Sequence, residues 1–441
     1  MKLAKAKDSN EKVYIRATMS ILEHFHFNMS EDVEKETAEK SDDEGEEESD
    51  DEDLAIQQGA SAAKVSEAVT NRLLPLLLKY LEQKDETEAS IRIPIAAGYV
   101  RVALFLPAET RDMEVNRLIT VLAQVFKSKD SDTRVLAREV LCKISTIVGP
   151  DYLPSIITAL KEALTRGAQL HVLSYTVHSV ILHLIESEAG KYDNLDLVSQ
   201  DVIAIITETI FGRSAKDAQN EEWKTQTKEV KSAKNKSLDT YQILARLCSP
   251  SKMPVLLLPV RDMITVTESA KTILAVDEVL RRVSLGVISN KQFSPSDILS
   301  LCYSLIAQKS KFATPSEKKG RKKENVKEGA IVQLKRDVRQ EKNYFENNSH
   351  KFINLGLDLF NTSFKRSQFD FKNTDHLARM DPLVSAIGNV LFSSNTDTVI
   401  LGLRSTSNIA RAPLPSIDKS LGVFVKRIFA LLDDCGGTQS E

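Results

Sequence analysis

From Val65 onward, apolar residues recur three and four positions apart, the spacing that lines one face of an α-helix. Leu118, Ile119, Val121, Leu122 and Val125 fall on one such face. Val135, Leu136, Val140, Leu141 and Ile144 fall on a second. The polar stretch from Lys127 to Asp132 between them has the composition of a short turn. Gly149-Pro150 predicts the end of the second helix, because glycine suits a helix C-cap and proline cannot continue one. Tyr152 and Leu153 open the next pattern, with Pro154 in a first turn, where its missing N–H would have had no partner. No alternation of period two is long enough to make a sheet.

The pattern then repeats. At a lag of 38 residues, Leu118 falls on Ile156, Val121 on Ala159, Leu122 on Leu160, Val125 on Ala163, Val135 on Leu173 and Ile144 on Leu182. Upstream the lag is 44: Leu74 matches Leu118, Leu78 matches Leu122 and Val100 matches Ile144. A period near 40 with two helices per unit is the pattern of HEAT and armadillo-type solenoids. One helix pair cannot hide both of its apolar faces, so neighbours stack and share a continuous core. Further helices are predicted over 241–247, 254–264, 270–288, 296–306, 352–360, 383–392, 399–409 and 421–432. The fold class is therefore all-α, a solenoid of stacked antiparallel helix pairs with about eight or nine repeats of roughly 40 residues. A helical bundle without regular stacking is the alternative, and the lag matches weigh against it.

Charge divides the chain further. The formal net charge is −3, but 30–53 carries 15 acidic and 2 basic residues, leaving the remainder at +10. That acidic run has almost no apolar residues with which to build a core, so it is expected to be disordered. Between Lys309 and Lys327 there are eight basic and two acidic residues among polar spacers, the composition of a solvated linker. The expected organisation is a leading helix of the array (1–29), a disordered acidic insert (30–63), a solenoid (64–306), a basic linker (307–345) and further helical repeats (346–441). Within the linker, Lys318, Lys319, Arg321, Lys322 and Lys323 are candidates for contact with phosphate; a plain solubilising tether is the competing reading. Ser41 and Ser49 are each followed by Asp-Asp-Glu, a context suited to a kinase with a basic substrate groove. Both are candidate phosphorylation sites.

Catalytic motifs do not occur. There is no GxxxxGKS/T, GxGxxG, HExxH or GxSxG. His171 and His178 are seven residues apart on one predicted helix, but no further ligands converge on them, and packed or surface imidazoles are the better reading. The four cysteines, Cys142, Cys248, Cys302 and Cys435, form no CxxC pair, so neither a zinc framework nor a disulfide scaffold is indicated. No segment reaches the roughly 18 uninterrupted apolar residues of a membrane span. The residues thus point to a non-enzyme without metal or cofactor.

Several blocks carry a resemblance. Arg166-Gly-Ala-Gln-Leu-His-Val-Leu-Ser-Tyr-Thr-Val-His178 resembles a signature of the small-subunit processome component 20 family, also called the down-regulated-in-metastasis family. Gly149-Pro-Asp-Tyr-Leu153 precedes it in the family's order. Lys236-Ser-Leu-Asp-Thr-Tyr-Gln-Ile-Leu-Ala245, Leu256-Leu-Leu-Pro-Val-Arg-Asp-Met263, Glu278-Val-Leu-Arg-Arg282, Asp381-Pro-Leu383 and Pro413-Leu-Pro-Ser416 follow it. The resemblance covers about Leu73 to Asp433, interrupted at the basic linker. It implies a nucleolar HEAT-repeat scaffold of the small-subunit processome that supports precursor ribosomal RNA processing and small-subunit (18S) rRNA maturation. The implied partners are processome proteins, precursor ribosomal RNA and its guide small nucleolar RNA. Family members run to a few thousand residues, so the resemblance also implies that this chain is a piece of such an array, prone to aggregate when isolated. A generic HEAT-repeat adaptor, such as a nuclear transport or phosphatase scaffold, is the competing function.

Overall fold

The structure, a computed structural model, describes residues 66–83, 88–187, 194–212, 228–267, 269–308 and 344–437. The expected leading helix, the acidic insert with Ser41 and Ser49, and Lys318, Lys319, Arg321, Lys322 and Lys323 lie outside the described residues. The helices of eight or more residues are α1 (Leu74–Leu81), α2 (Ile95–Ala103), α3 (Ala108–Val125), α4 (Ser131–Val148), α5 (Leu153–Ala163), α6 (Gln169–Glu186), α7 (Ser199–Phe211), α8 (Lys228–Leu247), α9 (Met253–Val266), α10 (Ala270–Ile288), α11 (Pro295–Ile306), α12 (His350–Lys365), α13 (Thr374–Val390), α14 (Thr396–Ile409) and α15 (Pro415–Gly437). No strand occurs among the described residues. The described residues form two compact units, the first from 66–187 with 228–233 and the second from 194–212 with 234–437, so that α8 passes from one into the other at 233/234.

In the first unit, α1, α3 and α5 stack in one row and α2, α4 and α6 in the other, with each odd helix paired to the even helix that follows it. The start of α4 at Ser131 and of α6 at Gln169 reproduces the 38-residue lag. Several residues matched by the lags share one fate: Leu74, Leu118 and Ile156, like Leu78, Leu122 and Leu160, are all buried, and so are Val100 and Ile144, whereas Val121, Val125 and Leu182 are only half-buried beside buried matches. Each such side chain contributes about 1.5–3 kcal/mol by leaving water. Local sequence sets the helix ends. Asp130 caps α4 by accepting from the Thr133 N–H at 2.7 Å. Gly149 ends it at φ +86°, a left-handed conformation that a β-carbon would strain. Pro150 then starts a short turn into α5, with Pro154 in the first turn of that helix.

One face differs from the sequence expectation. Val135 is 39% exposed, whereas Arg134 and Arg138 are buried. The apolar pattern alone would turn Val135 inward. Glu229, supplied from α8, pairs with the two guanidinium groups and so allows them to face inward in place of Val135.

In the second unit, α7 and the part of α8 from 234 onward run antiparallel: Leu195 N–H donates to the Leu247 carbonyl near one end, and Thr207 bonds Tyr241 at 2.8 Å near the other. Onward from α8, the even helices are parallel neighbours. Asp239 and the Ala245 carbonyl reach Arg282 and Asn290. Asp277, Ser284 and the Ile288 carbonyl meet Lys351, Asp358 and Arg366 in step. Asn354 and Asn361 meet Thr398 and Asn408. A second row, α11, α13 and α15, is parallel in the same way: Ser296 pairs with Asp375, Ser300 with Arg379, Asp381 with Ser416 and the Leu391 carbonyl with Arg427. Each unit is thus a stack of antiparallel helix pairs of HEAT type. Residues 309–343 lie between α11 and α12, two helices that pack closely on each other. The chain re-enters at Tyr344, whose N–H donates to the Thr265 carbonyl at the end of α9 (2.9 Å).

Candidate functional site

Stacked pairs leave three kinds of place for function: clefts, buried polar clusters and the loop edges. In the first unit, an open cleft of about 700 Å³ lies between 66–71 and 105–110. Glu67 is the one ionisable side chain in its lining, so the cleft holds no acid–base pair. Among the described residues, no three His, Cys, Asp or Glu side chains converge as metal ligands. His171 and His178 are both packed within α6, at 4% and 3% exposure. Burial raises the thiol of Cys142 to about 11, that of Cys248 to about 12, and that of Cys302 higher still. Such thiols stay protonated and poorly nucleophilic near neutral pH.

The buried polar cluster also belongs to the first unit. Glu229, 2% exposed at the start of α8, accepts from Arg134 Nε and Nη2 (both 3.2 Å) and from Arg138 Nη2 (3.1 Å). Arg134 Nη1 also donates to the carbonyls of Ser128, Lys129 and Asp130, and so closes the loop before α4. Arg138 stacks on Tyr175, its guanidinium carbon 4.4 Å from the ring centre. Burial alone would raise the Glu229 carboxyl, but the hydrogen bonds and charge of Arg134 and Arg138 prevail and hold it below the ordinary carboxylate range. Every member has partners, so the cluster is structural: it fixes the start of α8 across 95 and 91 residues of sequence. No local signal could have revealed it, because the partner lies so far along the chain.

Charged pairs also run across helix faces and loop edges. Midway along α10 in the second unit, Glu278 pairs with Arg281 at 2.6 Å and Arg282 at 3.1 Å, and Arg282 bridges to Asp239 of α8 at 2.7 Å. The Arg281 hydrogen bond, with help from Arg282 and against partial burial, holds the Glu278 carboxyl at about 2. Where α12 meets α13, Lys365, Arg366 and Lys372 are exposed around a cluster of four phenylalanines. The run Lys365-Arg366-Ser367-Gln368-Phe369-Asp370-Phe371-Lys372 interleaves basic and aromatic residues, a signal present in the sequence but passed over in favour of the denser run of Lys318 to Lys323. Those linker residues and the two serines remain outside the described residues.

Comparisons with known proteins fit this architecture. Residues 82–306 match the family model described as the U3 small nucleolar RNA-associated protein 20 domain. A protein of Schizosaccharomyces pombe named U3 small nucleolar RNA-associated protein 20 is 29% identical over 382 residues, which are 86% of this chain and 14% of that protein. The Saccharomyces cerevisiae protein of the same name is 31% identical over 389 residues, 85% of this chain and 15% of that protein. The chain thus spans about one seventh of the length of these relatives. A crystal structure of an engineered protein aligns over 98% of this chain and 93% of its own at 13% identity, with a TM-score of 0.24, too low to bear on the fold. With its family model spanning just over half of the residues, this chain belongs to the U3 small nucleolar RNA-associated protein 20 family.

Proposed function

We propose that this chain is a non-catalytic scaffold segment of the small-subunit processome that supports precursor ribosomal RNA processing and 18S rRNA maturation in the nucleolus. The observation that carries the reading is the family match over residues 82–306, set on stacked helix pairs. Both named relatives are U3 small nucleolar RNA-associated proteins, and the likeness extends beyond the matched domain to about 85% of this chain. The physical basis is surface. A row of helix pairs presents many side chains to large partners, and lysine and arginine on its edges meet phosphate with little sequence preference and steep salt dependence. Lys318, Lys319, Arg321, Lys322 and Lys323 belong to this reading as candidate phosphate contacts, and Ser41 and Ser49 as candidate phosphorylation sites on the acidic insert.

Affinity purification of the tagged chain from a nucleolar extract tests the role. Processome proteins and U3 small nucleolar RNA in the eluate support it. Nuclear transport factors or phosphatase subunits in their place would overturn it in favour of a generic adaptor. Phosphopeptide mapping tests the two serines; finding both unmodified in growing cells removes that part.

A further inference from the structure

The turn between α12 and α13 combines three features. First, it carries cations with no ion-pair partner. Elsewhere in the second unit exposed Arg281 and Arg379 are engaged, with Glu278 and Asp375, while exposed Arg404 and Arg411 pair with no carboxylate among the described residues. Lys365, Arg366 and Lys372 are exposed, and among the described residues none lies within ion-pair distance of a carboxylate. Of the nearby acids, Asp375 is held by Arg379 and Ser296, whereas Asp370, which accepts from the Lys372 N–H at 2.9 Å, sets one exposed carboxylate against the three cations. Second, it carries an aromatic platform. Phe371 packs on Phe364 with centroids 5.9 Å apart, and Phe364 lies 5.9 Å from Phe360; the cluster fixes the ring while 36% of Phe371 stays open to solvent. Third, the backbone is set. Ser367 sits at φ +55°, and the N–H groups of Arg366, Ser367 and Gln368 close on the carbonyls of Thr362, Phe364 and Ser363. A left-handed serine costs on the order of 1 kcal/mol, yet the turn keeps it.

The parallel stacking extends this edge. Arg366 Nη1 reaches the Ile288 carbonyl at 3.5 Å, and exposed Lys291 follows three residues later, past the end of the same helix. Asn361 bonds Asn408, so Lys365 and exposed Arg411, each about one turn further, share the same end of two parallel helices.

We propose that this edge of the second unit binds single-stranded RNA, with a base stacked on Phe371 and neighbouring phosphates on Lys365, Arg366 and Lys372. The inference deepens the scaffold reading and rests on it: it names a structured RNA contact separate from the basic linker. A partly exposed ring framed by three cations, in excess of the single Asp370 carboxylate among them, matches the pairing of stacking platform and phosphate track found in single-strand binders. Cations at helix C-termini also complement the helix dipole, and that explanation alone predicts an effect on stability but none on RNA.

The test uses the full chain and a fluorescein-labelled, uridine-rich RNA, followed by anisotropy across a salt series. Two variants probe the edge: Lys365→Ala/Arg366→Ala/Lys372→Ala, and Phe371→Leu, which keeps the apolar cover but removes the aromatic face. A third, with Lys318, Lys319, Arg321, Lys322 and Lys323 all changed to alanine, probes the linker. The triple variant should flatten the slope of log K against log salt by about 2, from roughly 0.7 per lost phosphate contact on a single strand. Phe371→Leu should weaken binding roughly tenfold, while Phe371→Trp retains it and thermal midpoints stay level. Unchanged affinity in either edge variant overturns the inference. If only the linker variant then loses RNA, the scaffold reading survives without this contact. If the wild-type chain binds no RNA even at low salt, the inference falls as well, and the scaffold reading stands or falls on the composition of the eluate.

Discussion

Replacing Glu229 by alanine leaves two buried guanidinium groups without their carboxylate. Breaking a buried ion pair from one side costs about 3–5 kcal/mol, so Glu229→Ala should lower the urea midpoint of the unit that contains α4; an unchanged midpoint would show that the cluster is not load-sharing. The pH dependence has a definite sign. Arg134 and Arg138 hold the folded carboxyl below its ordinary value of 4.5. Its contribution is therefore complete above that value and is lost as pH falls through the lowered native one. Glu229→Gln should lack this acid-side loss, seen as a flatter stability profile below about pH 4.5. The thiols give a second check at this scale. Burial raises the pKa of Cys142, Cys248 and Cys302, so all three should resist iodoacetamide at pH 8 in the native chain and react on unfolding, as peptide mass spectrometry would report. Rapid native labelling of any of them would contradict the packing described.

At the scale of helices, close approach decides the outcome of one repeated substitution. A β-carbon on Gly286 of α10 would stand 2.5 Å from the Ala245 Cβ and the Gln242 carbonyl oxygen of α8. Gly286→Ala should therefore destabilise by about 1–3 kcal/mol through overpacking. On α15, a β-carbon on Gly422 meets nothing within 4 Å, so Gly422→Ala should stabilise by up to about 1 kcal/mol through helix propensity. Thermal denaturation of the two variants should show opposite signs; equal signs would refute the packing at Gly286. The same helix exposes Leu421, Val425, Phe429 and Leu432 along one stripe. Replacing Leu421 and Phe429 by glutamine should leave the thermal midpoint nearly unchanged and raise the concentration at which light scattering sets in, since exposed apolar stripes drive association rather than folding.

Helix positions are legible because period and punctuation agree: the polar stretch from Lys127 to Asp132, Gly149 and Pro154 sit where the pattern starts and stops, although the cap at Asp130 emerges only from the structure. The lag matches of Leu74, Leu118 and Ile156 were legible because each occupies the same place in a repeated core. Val135 was misplaced because the residue that keeps Arg134 inside comes 95 positions later, beyond any periodic window. The edge at Lys365 to Lys372 is readable in composition, but only the fold shows that Phe371 is held against Phe364 and that Arg366 reaches the end of α10 at Ile288.

For the molecule as a whole, the account rests on surface in place of a reaction centre: two units of stacked pairs, a body of net +10 once 30–53 is set aside, and membership of a family whose named relatives are associated with U3 small nucleolar RNA. The most direct measurement is ultraviolet crosslinking of the tagged chain in growing cells, followed by sequencing of the attached RNA. The account predicts reads concentrated on the precursor of small-subunit ribosomal RNA and on U3 small nucleolar RNA, reduced by the Lys365→Ala/Arg366→Ala/Lys372→Ala variant. Reads no higher than those of an untagged control, from cells in which the chain is stable and abundant, would contradict it.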